Sequence, residues 1–541
     1  MDNSDSRTDD GRARACDPDS CGLSVPTSPA SDSASNAGHA LFRRRPFSSR
    51  WLWVALVSGT LIRIVALPVS SPDFNLPFWD TYGWPADHAT YVQWARQATD
   101  PDKGLLTMYT EPPEPGFTVR LSAGDTYVHH GLGEIANYPP LSFYVLWLQG
   151  KLHRLLDPEM VTNTAVARVV FGSASFLGDI LLALGVWTLC AYVFDRRTAA
   201  IATAIVYLIP PIWLDSCWWG QTDSWELAPM VWVVWAMIRR RWFVAGVLWG
   251  IGLSLKPQAI LLAPVWLFIW LDILFTRSGD DGEKCSKGEL GRIVVAVLIA
   301  VAVLNLTALP FWLSSGSAWL EQSYLRNLGD EQPYTTLKAF NIWYLDLLRT
   351  YDADAATPIA GIAKDTWGKI LAFAGLVMSA VIAWRQRGST ARRVLLFTGL
   401  WLLAVVMLPT RVHERYILMC LPFLIMLAAG LRRLWPGVVA LIVIGCFQLT
   451  VFHWLMEPAD SWTKKWITDT INYHRNTVAQ TPPELRHQLP SLDQALQMRF
   501  ANFLQEHTSF ATLEWGLSIL ACFATGFVFY RAWQARHRSA Q

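Results

Sequence analysis

The chain of 541 residues is 52% hydrophobic and only 16% charged, and it contains 29 tryptophans. An ordinary soluble domain does not need so much apolar surface, and several apolar runs approach the ~20 residues that span a bilayer. The net charge of +2 says little about partners, and no run suggests nucleic-acid binding. The composition therefore predicts an all-α, polytopic helical membrane protein.

The eight cysteines are scattered along the chain. None of them has the spacing of zinc ligands, so we expect neither a zinc site nor a disulfide framework. We also expect no bound metal and no cofactor.

The first 46 residues are rich in Ser, Asp, Gly and Pro, and such a composition cannot bury a core. We predict that residues 1–46 form a disordered tail. Arg43, Arg44, Arg45 and Arg50 then precede the first apolar run. By the positive-inside rule, this end of the chain is cytoplasmic.

About twelve spans are predicted, and every second connection between them is basic. A core at 47–456 holds eleven of them, and residues 513–541 form a last span with a basic cytoplasmic end. The connections at 70–160 and 457–512 are predicted extracytoplasmic loops. The spans are expected at about 51–69, 164–194, 198–216, 224–238, 242–255, 258–276, 292–314, 364–384, 394–410, 415–431, 435–456 and 513–531.

The stretch WPADHATYVQWARQ, residues 84–97, lies in the first predicted loop. Four of its residues share one face at helical spacing, namely Ala89, Tyr91, Trp94 and Ala95. Asp87 stands at or near the start of this helix, where its carboxylate is either a plain cap or a reactive group. Asp80 is a nearby rival for the second role.

Basic residues collect at another predicted membrane edge, in the sequence RVHERY. Arg411, His413 and Arg415 would bring positive charge to the level of the lipid headgroups, which suits a phosphate or pyrophosphate. Lys256 interrupts two apolar runs in a similar way. The alternative for all four is an anchor that reaches to the interface, although this does not explain Glu414, which needs a partner of its own.

The sequence WWGQTDSW forms a polar island between two spans. Gln221 and Asp223 stand beside indole rings and suit sugar hydroxyls, or else they cap an outer turn. Tyr138 precedes Pro139 and Pro140, which break one helix and start the next, so a structural role is favoured there.

A further set of polar residues is predicted to be structural. Arg63, Arg168 and Asp179 lie inside apolar runs, and we interpret them as interior pairing groups rather than substrate contacts. His129 and His130 are predicted loop residues and not metal ligands.

Together these motifs resemble the C-type superfamily of membrane glycosyltransferases, which use polyprenyl-phosphate sugars. The closest branch is that of the dolichyl-phosphate-glucose-dependent glucosyltransferases and their bacterial relatives. The resemblance covers about residues 50–455. The matching stretches, in order, are DHATYVQWA from Asp87, YPPL from Tyr138, GQTDSW from Gly220, Lys256-Pro257-Gln258, KAFNIW from Lys338, and His413-Glu414-Arg415. The loop 457–512 matches no part of the family.

The resemblance implies a C-type fold and the transfer of a hexose, glucose or mannose, to a lipid-linked glycan or another acceptor. It implies inverting single displacement with Asp87 as general base. Lys256, Arg411, His413 and Arg415 are then expected to bind the donor phosphate. Gln221, Asp223, Tyr138 and Glu414 are expected to contact the substrate. His88 stands where many relatives have a second acid, so a metal-binding pair is not expected.

Two other functions fit the sequence. One is a different transferase on the same scaffold, such as a protein O-mannosyltransferase or an aminoarabinose-type lipid modifier. The other is a polytopic lipid flippase or transporter without transferase activity. We expect a multi-pass protein of a bacterial inner membrane, with the endoplasmic reticulum as the other possibility, and an active site on the extracytoplasmic side.

Overall fold

The structure of this chain is a computed structural model. The structure describes residues 49–74, 85–114, 116–122, 125–129, 135–275, 287–326, 335–336, 339–346, 358–386, 389–455, 477, 480–482 and 508–535. The tail 1–46, Asp80 and most of the loop 457–512 lie outside these ranges, as do His130 and Lys338.

The all-α prediction is confirmed, with one small hairpin as the addition. Because most helices are apolar on nearly all sides, they pack into one bundle with a continuous core. The helices are α1 Ser49–Val69, α2 Pro85–Ala98, α3 Pro140–Leu156, α4 Ala165–Val193, α5 Arg196–Leu208, α6 Pro210–Trp213, α7 Ser224–Ile238, α8 Trp242–Leu255, α9 Ala263–Phe275, α10 Lys287–Ser315, α11 Ala318–Leu320, α12 Lys364–Arg385, α13 Thr390–Met407, α14 Leu421–Gly430, α15 Trp435–Leu455 and α16 Thr508–Gln534. Strands β1 Phe117–Ser122 and β2 Asp125–His129 pair antiparallel.

Shorter turns connect these helices. The 3₁₀ turns are Pro72–Phe74, Leu105–Thr107, Pro257–Leu262, Ile342–Leu345, Glu414–Met419 and Arg432–Leu434. Two further turns, Leu214–Trp219 and Glu321–Leu325, are π-helical. Several of them fall where the sequence changes from apolar to polar.

The number of spans differs from the predicted twelve. In the described ranges, eight helices are long and apolar enough to cross a membrane, and the bent pair 196–208 and 210–219 makes a ninth. The apolar helices α7 and α8 are shorter. The predicted span at 415–431 is instead a 3₁₀ turn followed by the ten-residue helix α14. Ten residues rise only about 15 Å, so α14 is a buried core helix too short to cross a bilayer.

The first predicted loop is largely structured. Helices α2 and α3 pack against each other, and β1 also bridges to Thr162 beyond α3. The face of α3 that points away from the rest of the protein carries exposed leucines, with Leu148 at 64% and Leu155 at 79%. An amphipathic helix with such a face is typical of one that lies in the membrane interface.

The interior charged residues are paired, as predicted, but not all with one another. Arg63 Nε donates to Asp179 Oδ2 at 2.7 Å, and Ser216 Oγ donates to the same oxygen at 2.6 Å. Arg168 instead donates to Asn163 and to the carbonyl of Trp219. The first pair ties α1 to α4, whereas Arg168 supports the turn after α6.

One smaller prediction has a definite outcome. His129 is the last residue of β2 and not a loop residue, because the hairpin was not visible in the sequence pattern. In the ranges described, Cys190, Cys217, Cys420, Cys446 and Cys522 are free thiols. The same ranges contain no cluster of three or more ligands that could hold a metal.

Candidate functional site

Asp87 is not the cap of its helix. Helix α2 begins at Pro85, and Asp87 lies in its first turn. Trp219 Nε1 donates to Asp87 Oδ2 at 3.2 Å, and the side-chain amide of Gln221 donates to the same oxygen. In the described part of the chain no hydrogen bond reaches Oδ1, and the residue is partly exposed. One carboxylate oxygen is thus held by two donors from the turn after α6.

The partners of Asp87 come from a turn whose shape follows from the sequence. Pro210 and Pro211 end α5 and start the four-residue helix α6, and the chain then widens into the π-helical turn Leu214–Trp219. Gly220 ends this turn at φ +82°, a left-handed conformation that glycine adopts without strain. π-Helical turns are frequent at functional sites, and this one directs Trp219 and Gln221 toward Asp87.

The amide of Gln221 is held in a single orientation. Its Oε1 accepts from the Tyr91 hydroxyl at 2.9 Å, so its Nε2 faces Asp87. The Tyr91 and Tyr138 hydroxyls are 2.9 Å apart, and the backbone carbonyl of Gln221 accepts from Ser175 Oγ at 2.7 Å. The carboxylate therefore meets preorganised donors, which lose little entropy when a substrate binds.

Asp223 pairs with two cations of the site. The Lys256 ammonium contacts Asp223 Oδ1, and Arg415 Nε lies 3.4 Å from Oδ2. Lys256 also lies over the Tyr138 ring, 5.6 Å from its centroid. These cations are buried and paired. Lys256 is only 1% exposed, which excludes the alternative that its side chain reaches out to the membrane interface as an anchor.

The structure shows the partners of Glu414, which the sequence did not identify. Its two carboxylate oxygens lie 3.8 Å from Arg415 Nη1 and 3.8 Å from His413 Nδ1. Arg411 stands just before them at φ +63°, a strained conformation for a residue with a side chain. Asp87, Trp219, Gln221, Asp223, Lys256, His413, Glu414 and Arg415 are called the polar cluster below.

Electrostatic effects connect Asp87 to the distant RVHERY motif. Burial raises the pKa of Asp87 above its usual range, the charge of Arg415 opposes that rise, and Glu414 adds to it. Burial and the Arg415 charge both lower the pKa of His413. A lowered pKa favours the neutral imidazole, which offers a hydrogen bond rather than a charge. The expected contact of His413 with the donor phosphate stays a prediction.

The loop that carries Arg411 and His413 is supported by the KAFNIW stretch. Trp343 Nε1 donates to the Leu408 carbonyl at 2.7 Å, and Asn341 Nδ2 donates to the Pro409 carbonyl at 3.4 Å. The backbone N–H of Arg411 donates to Thr335. The Asn and Trp of this stretch thus hold the loop in place through its backbone carbonyls.

Sequence reasoning missed three members of the site region. Trp219 was seen only as a ring beside Gln221, and Asp215 and Glu226 were not identified. Asp215 lies against the Asp223 carboxyl, and Glu226 is buried with neither carboxyl oxygen hydrogen-bonded in the described structure. The sequence did contain a signal for Asp215 and Glu226, because each is a carboxylate inside an apolar run.

Part of the chain matches a known protein family. Residues 124–345 match the family described as GPI transamidase subunit PIG-U. This stretch contains Tyr138, Gln221, Asp223 and Lys256 but neither Asp87 nor the RVHERY motif. No curated protein matches the chain in sequence.

Several solved structures are similar to this chain, among them the following three. The apo oligosaccharyltransferase of Archaeoglobus fulgidus is 15% identical with a TM-score of 0.37, over 81% of this chain and 59% of that one. Archaeal AglB from the same organism, in complex with an inhibitory peptide and a dolichol-phosphate, is 14% identical with a TM-score of 0.39, over 80% and 58%. ArnT from Cupriavidus metallidurans, bound to undecaprenyl phosphate, is 14% identical with a TM-score of 0.44, over 91% and 78%. The chain spans less than two thirds of the length of either archaeal structure.

Proposed function

We propose that this chain is a C-type membrane glycosyltransferase. It transfers a hexose from a polyprenyl-phosphate sugar to a lipid-linked glycan or another acceptor, at the extracytoplasmic face. The observation that carries this proposal is the Asp87 carboxylate, fixed on one oxygen by Trp219 and Gln221 and placed within electrostatic reach of Arg415.

In the proposed reaction Asp87 is the general base. It takes the proton of the acceptor hydroxyl as the hydroxyl oxygen attacks the anomeric carbon of the donor. The bond from that carbon to the phosphate oxygen breaks, and the lipid phosphate leaves with the bonding electrons. A positioned base contributes about 10²–10⁴ in rate. The raised pKa of Asp87 makes it a stronger base than an exposed aspartate.

The leaving phosphate meets the cationic side of the polar cluster. Lys256 and Arg415 are held by Asp223, and His413 lies beside Glu414, which also contacts Arg415. The expected phosphate contact of Arg411 stays a prediction. Unpaired buried atoms also collect here within the described ranges, including Thr222 Oγ1, Gln258 Oε1 and both oxygens of Glu226. Buried polar groups normally have partners, so these atoms support a polar ligand such as the donor sugar.

A second candidate is favoured by the family match. Residues 124–345 resemble a transamidase subunit, and that stretch excludes Asp87. Under this alternative the chain binds a glycolipid within a larger assembly and transfers nothing itself. The flippase alternative also predicts lipid handling without sugar transfer.

A transfer assay distinguishes these functions. The full chain in nanodiscs is supplied with radiolabelled glucose and mannose on polyprenyl phosphates of several lengths. Transfer that falls at least about 100-fold in Asp87→Asn, but not in the exposed control Asp102→Asn, is expected. Because Asn can still accept from Trp219, the variant keeps its fold, which thermal unfolding checks. Transfer unaffected by Asp87→Asn removes Asp87 as the base, and lipid binding or translocation without transfer favours the alternatives.

A further inference from the structure

An open groove runs between α15 and α16 on the outer surface of the bundle. Its volume is about 530 Å³, within the range of ligand sites. Both helices are long and apolar enough to cross a membrane, so the groove faces lipid. Its lining is apolar apart from one hydroxyl and one thiol, and it includes Pro436, Gly437, Ala440, Phe523, Phe527 and Tyr530.

Two glycines shape this groove. A Cβ at Gly437 would lie 2.8 Å from Val528 Cγ2, so α15 and α16 are in close contact there. A Cβ at Gly526 would meet no atom within 4 Å among the described residues. Gly526 thus leaves a notch in the surface of α16, beside the contact of the two helices. A flexible hydrocarbon chain can fill such a notch by van der Waals packing.

The groove ends among three arginines. Arg432 and Arg433 lie in the 3₁₀ turn directly before α15, and this turn contacts α16. Arg531 lies in the last turn of α16, with its guanidinium 5.2 Å from the centroid of the Phe527 ring, which lines the groove. The segments 431–440 and 520–534 contain no acidic residue. Positive charge therefore collects at this end of the groove.

These arginines have capacity for an anionic partner. Arg432 and Arg433 are exposed. Arg531 Nη1 donates to Gln534 Oε1 at 3.1 Å, whereas its Nε has no hydrogen-bond partner in the part of the chain that the structure describes. A phosphate oxygen is the acceptor that guanidinium groups bind most strongly, because the bond is charge-assisted and can be bidentate.

This basic end is far from the polar cluster. Near one end of α16 the Tyr344 hydroxyl donates to Glu514 Oε2 at 2.9 Å, directly beside the KAFNIW stretch that supports the site. Near the other end the side-chain amide of Gln386 donates to the carbonyl of Ala532 at 2.7 Å. The 18 positions between Glu514 and Ala532 correspond to about 27 Å along the helix axis, close to the thickness of a bilayer core. The positive-inside rule predicts that the basic end is cytoplasmic.

We propose that the groove binds an anionic phospholipid of the cytoplasmic leaflet. Its acyl chain fills the groove, and its phosphate is bound by Arg432, Arg433 and Arg531. Basic sites between transmembrane helices on this side of a membrane suit anionic headgroups. A helix of a second copy fits less well, because its own arginines would lie at the same membrane edge and repel these three. The site is independent of sugar transfer and separate from the donor phosphate at Asp87.

Native mass spectrometry can count the lipids that stay bound to the full chain after its release from nanodiscs. The nanodiscs contain phosphatidylcholine with a minor fraction of phosphatidylglycerol, or of polyprenyl phosphate in a second series. We expect the wild type to retain phosphatidylglycerol in preference to phosphatidylcholine. The double variant Arg432→Gln with Arg433→Gln should reduce its occupancy about tenfold or more. The control Arg239→Gln with Arg241→Gln removes two exposed charges between α7 and α8 and should leave it unchanged.

A second variant tests the groove without changing any charge. Ala440→Phe places a ring in the groove and should reduce phosphatidylglycerol retention as well, with thermal unfolding as the check on folding. Arg531→Gln tests the headgroup contact if the double variant does not insert.

Four results would overturn the proposal. They are equal retention of phosphatidylglycerol in the wild type and the arginine variants, unchanged retention in Ala440→Phe, arginine-dependent retention of polyprenyl phosphate but not of phosphatidylglycerol, and a dimer mass that Ala440→Phe abolishes. The last of these would show that a second copy occupies the groove.

Discussion

Arg415 Nε lies 3.4 Å from Asp223 Oδ2, and Lys256 contacts the other oxygen of the same carboxylate. One aspartate thus positions two cations that come from parts of the chain about 160 residues apart. This pairing stabilises both cations in the interior, because a buried charge without a partner is strongly destabilising. A lipid phosphate would join an existing charge network and not an empty basic patch.

The first prediction concerns Lys256. Lys256→Gln removes one charge near the expected phosphate position and keeps a hydrogen-bond donor of similar length. We expect KM for the polyprenyl-phosphate donor to rise about tenfold or more, as for a lost charged hydrogen bond, while KM for the acceptor changes little. Steady-state kinetics with each substrate varied in turn provides the measurement. Lys369→Gln, at an exposed pair with Asp365, is the control. Equal effects on both substrates would argue against a phosphate role.

The second prediction concerns pH. Asp87 works as a base only when ionised, and burial raises its pKa, so activity should fall on acidification at a pH above the usual range of aspartate. Arg415 lowers that pKa and Glu414 raises it. Arg415→Gln should therefore shift the acid limb of kcat/KM to higher pH, and Glu414→Gln should shift it to lower pH.

Opposite shifts of these two variants are the distinctive result, because a general loss of structure would not separate them. The acid limb is measured from pH 4 to 8, with the wild type and Asp102→Asn as references. Shifts in the same direction, or limbs that coincide with the wild type, would show that Asp87 does not set the profile.

The third prediction concerns Gly220. A Cβ there would lie 3.4 Å from Arg168 Nη1, in a residue whose φ of +82° costs a non-glycine residue about 1–2 kcal/mol. Gly220→Ala should therefore displace Gln221. We expect a large loss of transfer activity with only a small decrease in the midpoint of thermal unfolding. Gly526→Ala is the matched control, because its Cβ would meet no atom within 4 Å. Full activity in Gly220→Ala would show that the turn does not position Asp87's partners.

Much of the helical bundle was predictable because hydropathy is a local property. The ranges expected for α7 and α8 agree with the structure to the residue, since polar residues bound both apolar runs. The prediction of a span at 415–431 was wrong, because an apolar run indicates burial but does not give the length of the helix. In this case Glu414–Met419 turns as a 3₁₀ helix, and only the ten residues of α14 remain.

The site was only partly predictable for a different reason. The order of the motifs predicted that Asp87, Lys256 and Arg415 belong to one site. It could not predict which side chain pairs with which. Asp223 appeared as a sugar-binding residue, whereas its carboxylate is taken up by two cations. Which charge pairs with which depends on distances across the bundle, and no local pattern records those distances. The pKa of His413 was also beyond sequence reasoning, because it is lowered by burial first and by the neighbouring Arg415 charge second.

The last prediction concerns the Arg63–Asp179 pair, which joins α1 to α4 in the membrane. Arg63 also donates to the carbonyls of Gly59 and Tyr207, at 3.0 and 2.8 Å, so the guanidinium depends on a fixed geometry. Asp179→Leu leaves this cation buried without its counter-ion and should destabilise the protein by about 3–5 kcal/mol. Arg63→Met should be similarly harmful, because it leaves the carboxylate alone.

The double variant Arg63→Met with Asp179→Leu should be less destabilised than the sum of the two single variants, because neither charge is then left unpaired. Unfolding in detergent, followed by tryptophan fluorescence, gives the four stabilities of the cycle. Lys369→Gln with Asp365→Asn, an exposed pair at 2.7 Å, forms the control cycle and should show a coupling below about 1 kcal/mol. Additive losses at Arg63 and Asp179 would mean that the two helices are held together by apolar packing alone.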